Sequence, residues 1–115
     1  MEPKLTTELL VTLGRIPSDL GGIRELARQH PAQLADYRGK LVEATLAESQ
    51  IESKIAADTI SNLTAAGQKV TDAAVERQVA GHPDKMAARE ARKMLEAAVA
   101  VLESREKIIL ALLAV

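Results

Sequence analysis

MLEAAVAVLESREKIILALLAV, residues 94–115, contains neither Gly nor Pro and repeats its aliphatic residues at intervals of seven. The repeat produces two adjacent rows, which are Met94, Val101, Ile108 and Val115, and then Leu95, Leu102 and Ile109. Adjacent sevenfold rows predict a helix with a wide apolar face that packs against other helices with a left-handed twist. Arg105 shares a third row with Ala98 and Leu112, and we expect it at the edge of that face.

Composition extends the helical prediction to the whole chain of 115 residues. Apolar residues make up 47% of the sequence, but there is no Trp, no Phe and a single Tyr, Tyr37. A chain rich in Ala, Leu, Glu, Lys and Arg is typical of long helices. No stretch alternates apolar and polar residues in the manner of a strand. We therefore predict an all-α protein with a single helical domain over residues 1–115.

Residues 1–30 predict two short helices. The first fits residues 5–13, where Thr6 or Thr7 is available as the N-cap. Turn-forming residues follow, and a second short helix fits residues 23–29. We expect this second helix to end before Pro31, because the residue that precedes a proline is pushed out of the helical region.

The rest of the chain predicts a long antiparallel helical hairpin. Its first helix fits residues 31–66, and Gly67 occupies the position of a C-cap glycine. Thr71 is a suitable N-cap for a short helix over residues 72–80 at the hairpin tip. The closing helix fits residues 84–115. Two helices of nearly equal length joined by a compact connection pack most simply in opposite directions.

The first long helix carries an apolar stripe of its own. Its members recur at steps of three and four, as one face of a helix requires. They are Leu34, Tyr37, Leu41, Ala44, Ile51 and Ile55. Glu48 interrupts the stripe, and we interpret Glu48 and Glu52 as solvated charges.

Self-association follows from the shortage of large side chains. Aromatic residues supply much of the buried area in small domains, and cysteine is absent, so disulfides do not compensate. The octet Ile108–Val115 is also too apolar for a soluble monomer to leave in water. We predict a homo-oligomer with an interface on the closing helix. The predicted interface residues are Met94, Leu95, Val101, Leu102, Ile108, Ile109, Leu112 and Leu113.

Signatures of catalysis, metal binding and membrane insertion are missing from the sequence. His30 and His82 each precede a proline at a predicted helix boundary, and we interpret them as polar residues that close a helix start. The serines have no histidine at useful spacing, so a nucleophilic triad has no support. No segment reaches the apolar length of a membrane span, and the start lacks the order of a signal peptide. We expect a cytoplasmic non-enzyme with no cofactor and no metal.

The net charge of −1 does not indicate a general binder of polyanions, but the positions of the basic residues indicate a local site for phosphates. Six candidates for phosphate contacts lie between residues 67 and 95, namely Lys69, Arg77, Lys85, Arg89, Arg92 and Lys93. Arg89, Arg92 and Lys93 are spaced to share one helix face. The alternative interpretation is a solvated surface on which Arg89 pairs with Glu90 and Lys93 pairs with Glu96.

The second half of the chain resembles a known group of phage proteins. In that group a long helix is followed by a Lys-x-Thr turn, a short helix, a His-Pro step and a closing helix. The matching positions here are Lys69, Thr71, Val75, Val79, His82 and Pro83, and then Ala91, Leu95, Ala98, Leu102, Arg105, Ile109 and Leu112. This pattern, over about residues 31–115, is similar to the UvsY recombination mediators of T4-like phages.

The resemblance implies a homo-oligomeric phage or prophage protein that binds single-stranded DNA. Such a mediator helps a recombinase to displace a single-strand-binding protein and to form a filament. The six basic residues would then neutralise phosphates without reading bases. The alternative is an assembly chaperone or inhibitor that binds a partner protein through an apolar helix face, with the C-terminal octet as its docking surface.

Overall fold

The computed structural model describes residues 5–114, and these form four helices with no strand. The helices are α1 (Thr7–Leu13), α2 (Leu20–Ala65), α3 (Asp72–Gly81) and α4 (Pro83–Leu113). The all-α prediction with a pair of long helices is therefore confirmed. Val115, where the closing helix was expected to end, lies outside the described residues. None of the four helices combines the length and the apolar character that crossing a membrane requires.

The first short helix is confirmed, together with its N-cap. α1 begins directly after Thr6, whose side-chain oxygen accepts a hydrogen bond from the backbone N–H of Leu9 at 3.2 Å. This bond satisfies one of the backbone donors that a helix start leaves without an intrahelical partner. Gly14 ends the helix, and its N–H donates to the carbonyl of Leu10 at 3.2 Å.

The predicted break before Pro31 is wrong. α2 passes through the proline without interruption, so the helices expected over residues 23–29 and 31–66 are one element. A proline inside a helix removes a backbone hydrogen bond and costs about 3 kcal/mol. The continuous helix offsets this cost because it buries the same face on both sides of the proline. The buried residues on that face are Ile23, His30 and Leu34.

The segment before α2 explains why the helix begins at Leu20 rather than further along the chain. The Asp19 carboxylate accepts a hydrogen bond from the Gly22 N–H at 2.9 Å, which is the arrangement of an N-cap. A Cβ atom on residue 22 would lie only 2.7 Å from Cβ of Pro17. A glycine is therefore required where the chain turns into the helix.

The end of α2 follows the predicted glycine cap. Gly67 has a φ of 71°, in the left-handed region that favours glycine. Its N–H donates to the Thr64 carbonyl at 3.1 Å, and the Gln68 N–H donates to the Leu63 carbonyl at 2.9 Å. These two bonds form a Schellman motif, which satisfies carbonyls at the helix end.

α3 and the start of α4 also form where local chemistry predicts them. The Thr71 hydroxyl accepts a hydrogen bond from the Ala74 N–H at 3.1 Å and caps α3. His82, in extended backbone, ends α3, and Pro83 is the first residue of α4. A proline at the first helical position has no N–H that would need a partner.

The chain divides into two compact units, and both contain a part of α2 and a part of α4. We call Met1–Val42 with Lys93–Val115 the terminal unit, and Glu43–Arg92 the central unit. In the terminal unit α2 and α4 run antiparallel, since His30 contacts Arg105 while Arg38, further along α2, contacts Glu103. Its core consists of Leu13, Leu34, Ala98, Val99 and Leu102.

The central unit is built by the same pair of helices around a different interior. Glu48 of α2 contacts Arg92 of α4, and Glu52 contacts Lys85, so the helices again run antiparallel. Ile55 is the apolar residue buried here, at 7% exposure. The two units therefore differ mainly in how apolar their interiors are.

Candidate functional site

A buried polar cluster lies at the centre of the terminal unit. Arg105, at 4% exposure, donates from Nη1 to the Leu13 carbonyl at 2.9 Å and from Nη2 to Oε1 of Gln33 at 2.7 Å. Its Nε and Nη2 also approach Nδ1 of His30, at 3.1 and 2.7 Å. One guanidinium thus joins α1, α2 and α4. We call Arg105, His30, Gln33, Glu106 and the Leu13 carbonyl the Arg105 cluster.

The contacts of His30 define its protonation state. Because Arg105 only donates hydrogen bonds, Nδ1 of His30 must accept, and the ring proton of the neutral form sits on Nε2. Nε2 is buried without a hydrogen-bond partner, and Oε2 of Glu106 lies 3.5 Å away. Burial and the neighbouring Arg105 charge hold the pKa of His30 below its ordinary value, although the Glu106 carboxylate opposes this shift.

Two predictions about this cluster are wrong. Arg105 was expected at the edge of the apolar face, but it lies in the middle of a buried stripe with Ala98, Leu102 and Ile109. His30 was expected to close a helix start, but it lies inside α2 at 3% exposure. The sequence carries a signal for both positions, because each residue continues an apolar stripe at helical spacing.

A second charged cluster occupies the central unit. Glu48, at 6% exposure, accepts hydrogen bonds from Nζ of Lys85 and from Nε of Arg92. Glu52 accepts a further hydrogen bond from the same Lys85 ammonium group. We call these four residues the Glu48 network. The interpretation as a solvated charge is therefore wrong for Glu48, which is buried between two cations of α4. Glu52 binds Lys85 as well, but its side chain is 43% exposed and remains in contact with solvent.

Charge compensation inside the Glu48 network shifts the pKa values of Glu48 and Lys85 in opposite directions. Hydrogen bonds from Arg92 and Lys85 lower the pKa of Glu48, and burial opposes this only in part. Hydrogen bonds to Glu48 and Glu52 raise the pKa of Lys85. Each charge thus stabilises the ionised form of its partner, as expected for opposite charges in hydrogen-bond contact.

Two of the six predicted phosphate contacts, Lys85 and Arg92, belong to the Glu48 network. The Lys85 side chain is 15% exposed and the Arg92 side chain 24% exposed, and both are bound by carboxylates. Lys69, Arg77 and Arg89 of the central unit are exposed, with Lys69 in the connection between α2 and α3. Lys93 is exposed as well but belongs to the terminal unit.

The residues predicted as an oligomer interface lie at three levels of burial in the terminal unit. Leu102 and Ile109, at 0% and 3% exposure, are covered by the chain's own helices and leave no surface for a second copy. Met94, Leu95 and Val101 are half-buried. The remaining three are exposed at 38–49% and are Ile108, Leu112 and Leu113. The interface on these remaining residues stays a prediction.

His82 behaves as the sequence predicted. Its Nδ1 accepts a hydrogen bond from the backbone N–H of Asp84 at 3.1 Å, within the first turn of α4. The residue also lines a groove together with Ile51 and Ile55 of α2. Within residues 5–114, no three His, Asp or Glu side chains converge in a way that would hold a metal ion.

Taken together, the described side chains offer three exposed cations of the predicted set on the central unit and an exposed apolar end on α4. The buried clusters join helices and hold charges out of solvent. Comparison of the chain with known protein families, with curated proteins and with solved structures finds no match.

Proposed function

We propose that this chain is a homo-oligomeric recombination mediator that binds single-stranded DNA in the cytoplasm of a phage-infected bacterium. In this role it would help a recombinase to displace a single-strand-binding protein. The observation that carries the proposal is the agreement between helix boundaries and the residues of the family pattern. Thr71 caps α3, His82 ends it, and Pro83 opens α4, in the order that the UvsY-like pattern requires.

The proposed DNA contacts are Lys69, Arg77 and Arg89, the three predicted phosphate contacts that are exposed and lie in the central unit. Lys85 and Arg92 are left out because Glu48 and Glu52 already neutralise them. Phosphate neutralisation by exposed Lys and Arg supplies affinity without base specificity. Tyr37 is the single aromatic residue of the chain, so base stacking contributes little.

Fluorescence anisotropy with a labelled oligothymidine at two salt concentrations tests the DNA contacts. The wild-type chain is expected to bind at low salt, with an affinity that falls as salt rises. The triple variant Lys69→Ala/Arg77→Ala/Arg89→Ala is expected to reduce the salt slope by about 2, because each lost contact to a single strand removes roughly 0.7 from it. A separate variant, Lys93→Ala, is measured alone because Lys93 lies in the terminal unit.

The control triple is Arg15→Ala/Arg24→Ala/Lys107→Ala, which removes the same charge from exposed positions of the terminal unit. It is expected to bind DNA nearly as well as the wild type. Equal losses in both triples would mean that net charge alone drives binding. Absence of wild-type binding at low salt would rule out the DNA function.

The proposed self-association rests on the apolar residues at the end of α4. Leu110 is 61% exposed and Ile108 is 49% exposed. A monomer would therefore leave both apolar side chains in contact with water. Light scattering is expected to give a multiple of the 12.3 kDa chain mass. Ile108→Glu/Leu112→Glu is expected to return the mass to one chain, whereas Ser104→Glu/Ala111→Glu, at exposed positions of the same helix, should not. A wild-type monomer would contradict the proposal.

The second candidate is a protein-interaction module that binds no nucleic acid. The same exposed end of α4 favours it, since an apolar helix face is a common docking element. The two candidates separate in the experiments above. The interaction module is supported if the wild-type chain binds no DNA and is oligomeric. It is also supported if the chain is monomeric and leaves its apolar end exposed.

A further inference from the structure

We propose that the Arg105 cluster is an acid-sensitive latch, in which protonation of His30 releases α1 from the terminal unit. The inference does not depend on the proposed function. It rests on the geometry that makes one guanidinium serve both as the partner of a titratable ring and as the attachment point of α1.

The attachment of α1 to this cluster runs through its last backbone carbonyl. Arg105 donates to the Leu13 carbonyl at 2.9 Å, over a sequence separation of 92 residues. That carbonyl belongs to the final turn of a helix, where no intrahelical donor is available. Arg105 therefore supplies the hydrogen bond that the end of α1 needs, and apolar contacts of Leu13 complete the attachment.

The neutral imidazole of His30 positions the guanidinium. Nδ1 of His30 lies 2.7 Å from Nη2 and 3.1 Å from Nε of Arg105, so it accepts where Arg105 donates. A proton on Nδ1 would replace that lone pair with a donor and place two positive charges in contact. The guanidinium would then have to leave its position, and the Leu13 carbonyl would lose its donor.

The surrounding groups decide how sharply the latch responds. α4 supplies Arg105 and Glu106, and α2 supplies Gln33 and the more distant Arg38, while α1 contributes the Leu13 carbonyl. Burial and the charges of Arg105 and Arg38 act against protonation, and Glu106 alone favours it. The pKa of His30 is consequently lower in the closed state than in a state with α1 released.

This difference in pKa couples opening to pH. The released state takes up a proton as the pH falls through about 6.5, the ordinary value for His, before the closed state does. Each unit between the two pKa values multiplies the ratio of released to closed molecules by about ten. Release would remove Leu13 from the apolar core that it shares with Leu34 and Leu102.

Hydrogen exchange of the full-length chain at pH 7.5 and pH 5.5 tests the latch. Rates for the amides of residues 9–14 are divided by their intrinsic rates at each pH, and circular dichroism is recorded in parallel. The protection of these α1 amides is expected to fall at the lower pH, while α3 keeps its protection and the helix signal falls by no more than the seven residues of α1 account for. Equal protection at both pH values, or a general loss of helix, would overturn the proposal.

Two variants assign the response to His30. In His30→Asn the side-chain oxygen replaces Nδ1 as acceptor but does not titrate, so α1 protection is expected to become independent of pH. His82→Asn removes the other histidine of the chain and is expected to keep the wild-type response. A pH response that persists in His30→Asn would contradict the proposal.

Glu106→Gln provides a second route in case His30→Asn does not fold. It removes the carboxylate that raises the pKa of His30 in the closed state, so the closed and released pKa values move further apart and the loss of α1 protection at pH 5.5 is expected to become larger. A loss of α1 protection no larger than in the wild type would show that another group controls α1.

Discussion

The two units bury charge between the same pair of helices but compensate it differently. In the terminal unit, Arg105 donates to neutral acceptors, and the Glu106 carboxylate lies 3.5 Å from Nε2, on the other side of the His30 ring. In the central unit, Glu48 is bound directly by two cations. The comparison shows that the burial of Arg105 depends on neutral neighbours. The burial of Glu48 depends instead on the positive charges of Lys85 and Arg92.

The two arrangements predict different responses to pH. The pKa of His30 is lowered, so its contribution is complete above about 6.5 and declines as the pH falls below that value. The pKa of Glu48 is also lowered, and its contribution declines only below about 4.3. The pKa of Lys85 is raised, so its contribution is lost above about 10.4. Acid should therefore weaken the terminal unit first.

Removal of the buried arginine is expected to have the largest effect. Arg105→Ala deletes the donor of three acceptors and leaves a cavity, which should lower the free energy of unfolding by about 3–5 kcal/mol. Urea denaturation followed by circular dichroism measures this loss. Lys107→Ala, on the exposed side of the same helix, is expected to stay within about 0.5 kcal/mol of wild type. A small effect of Arg105→Ala would mean that the cluster adds little to stability.

Neutralisation of Glu48 is expected to have an intermediate effect. Glu48→Gln weakens hydrogen bonds to two charged groups that keep partial access to water, so the loss should be about 1.5–3 kcal/mol. The same urea experiment measures it. Glu52→Gln is the matched control and should cost less, because the Glu52 side chain is 43% exposed. Equal losses in the two variants would contradict the central position assigned to Glu48.

The pH dependence separates the two units within one protein. The unfolding free energy of the wild type is expected to fall between pH 7 and 5.5, and then to fall again below about 4.3. His30→Asn should abolish the first decline and leave the second, whereas Glu48→Gln should reduce the second. Denaturant titrations across this pH range provide the measurement. A first decline that survives in His30→Asn would remove the distinction between the units.

The smallest expected effect comes from one substitution placed in each unit. Gly39→Ala, in the interior of α2 with no atom within 4 Å of the added Cβ, should stabilise the terminal unit by about 0.5–1 kcal/mol. Gly67→Ala, at a φ of 71°, should destabilise the central unit by about 1 kcal/mol. Thermal melts of both variants test the pair. Shifts of the same sign would contradict the assigned backbone conformations.

Local chemistry in the sequence predicted most of the fold. Thr6, Thr71, Gly67 and Pro83 each have a strong positional preference at a helix end, and each lies where it was expected. The helix break at Pro31 was wrong because the local penalty of a proline was weighed without the packing on either side. The steps of three and four that reach Leu34 do continue back to His30 and Ile23, and this periodicity is the signal that would have indicated one helix.

The candidate sites were predicted less well than the fold. Lys85, Arg89 and Arg92 are all basic residues in the first half of α4. Nothing in the neighbouring sequence indicates which of them contacts a carboxylate from α2. Arg105 was placed at the edge of an apolar face because an isolated arginine is rarely buried. Its acceptors come from residues far away in the chain, so a reading of the neighbouring sequence did not reveal them.

The sequence by itself determined where most helices begin and end, because caps, glycines and prolines act within one turn of the chain. It also determined the all-α class and the aliphatic character of the closing helix. The tertiary structure decided that α2 continues through Pro31, that Arg105 and His30 are buried together, and that Glu48 binds two of the predicted phosphate contacts. These outcomes depend on residues that are remote in sequence, whose burial and hydrogen bonds outweigh local preferences.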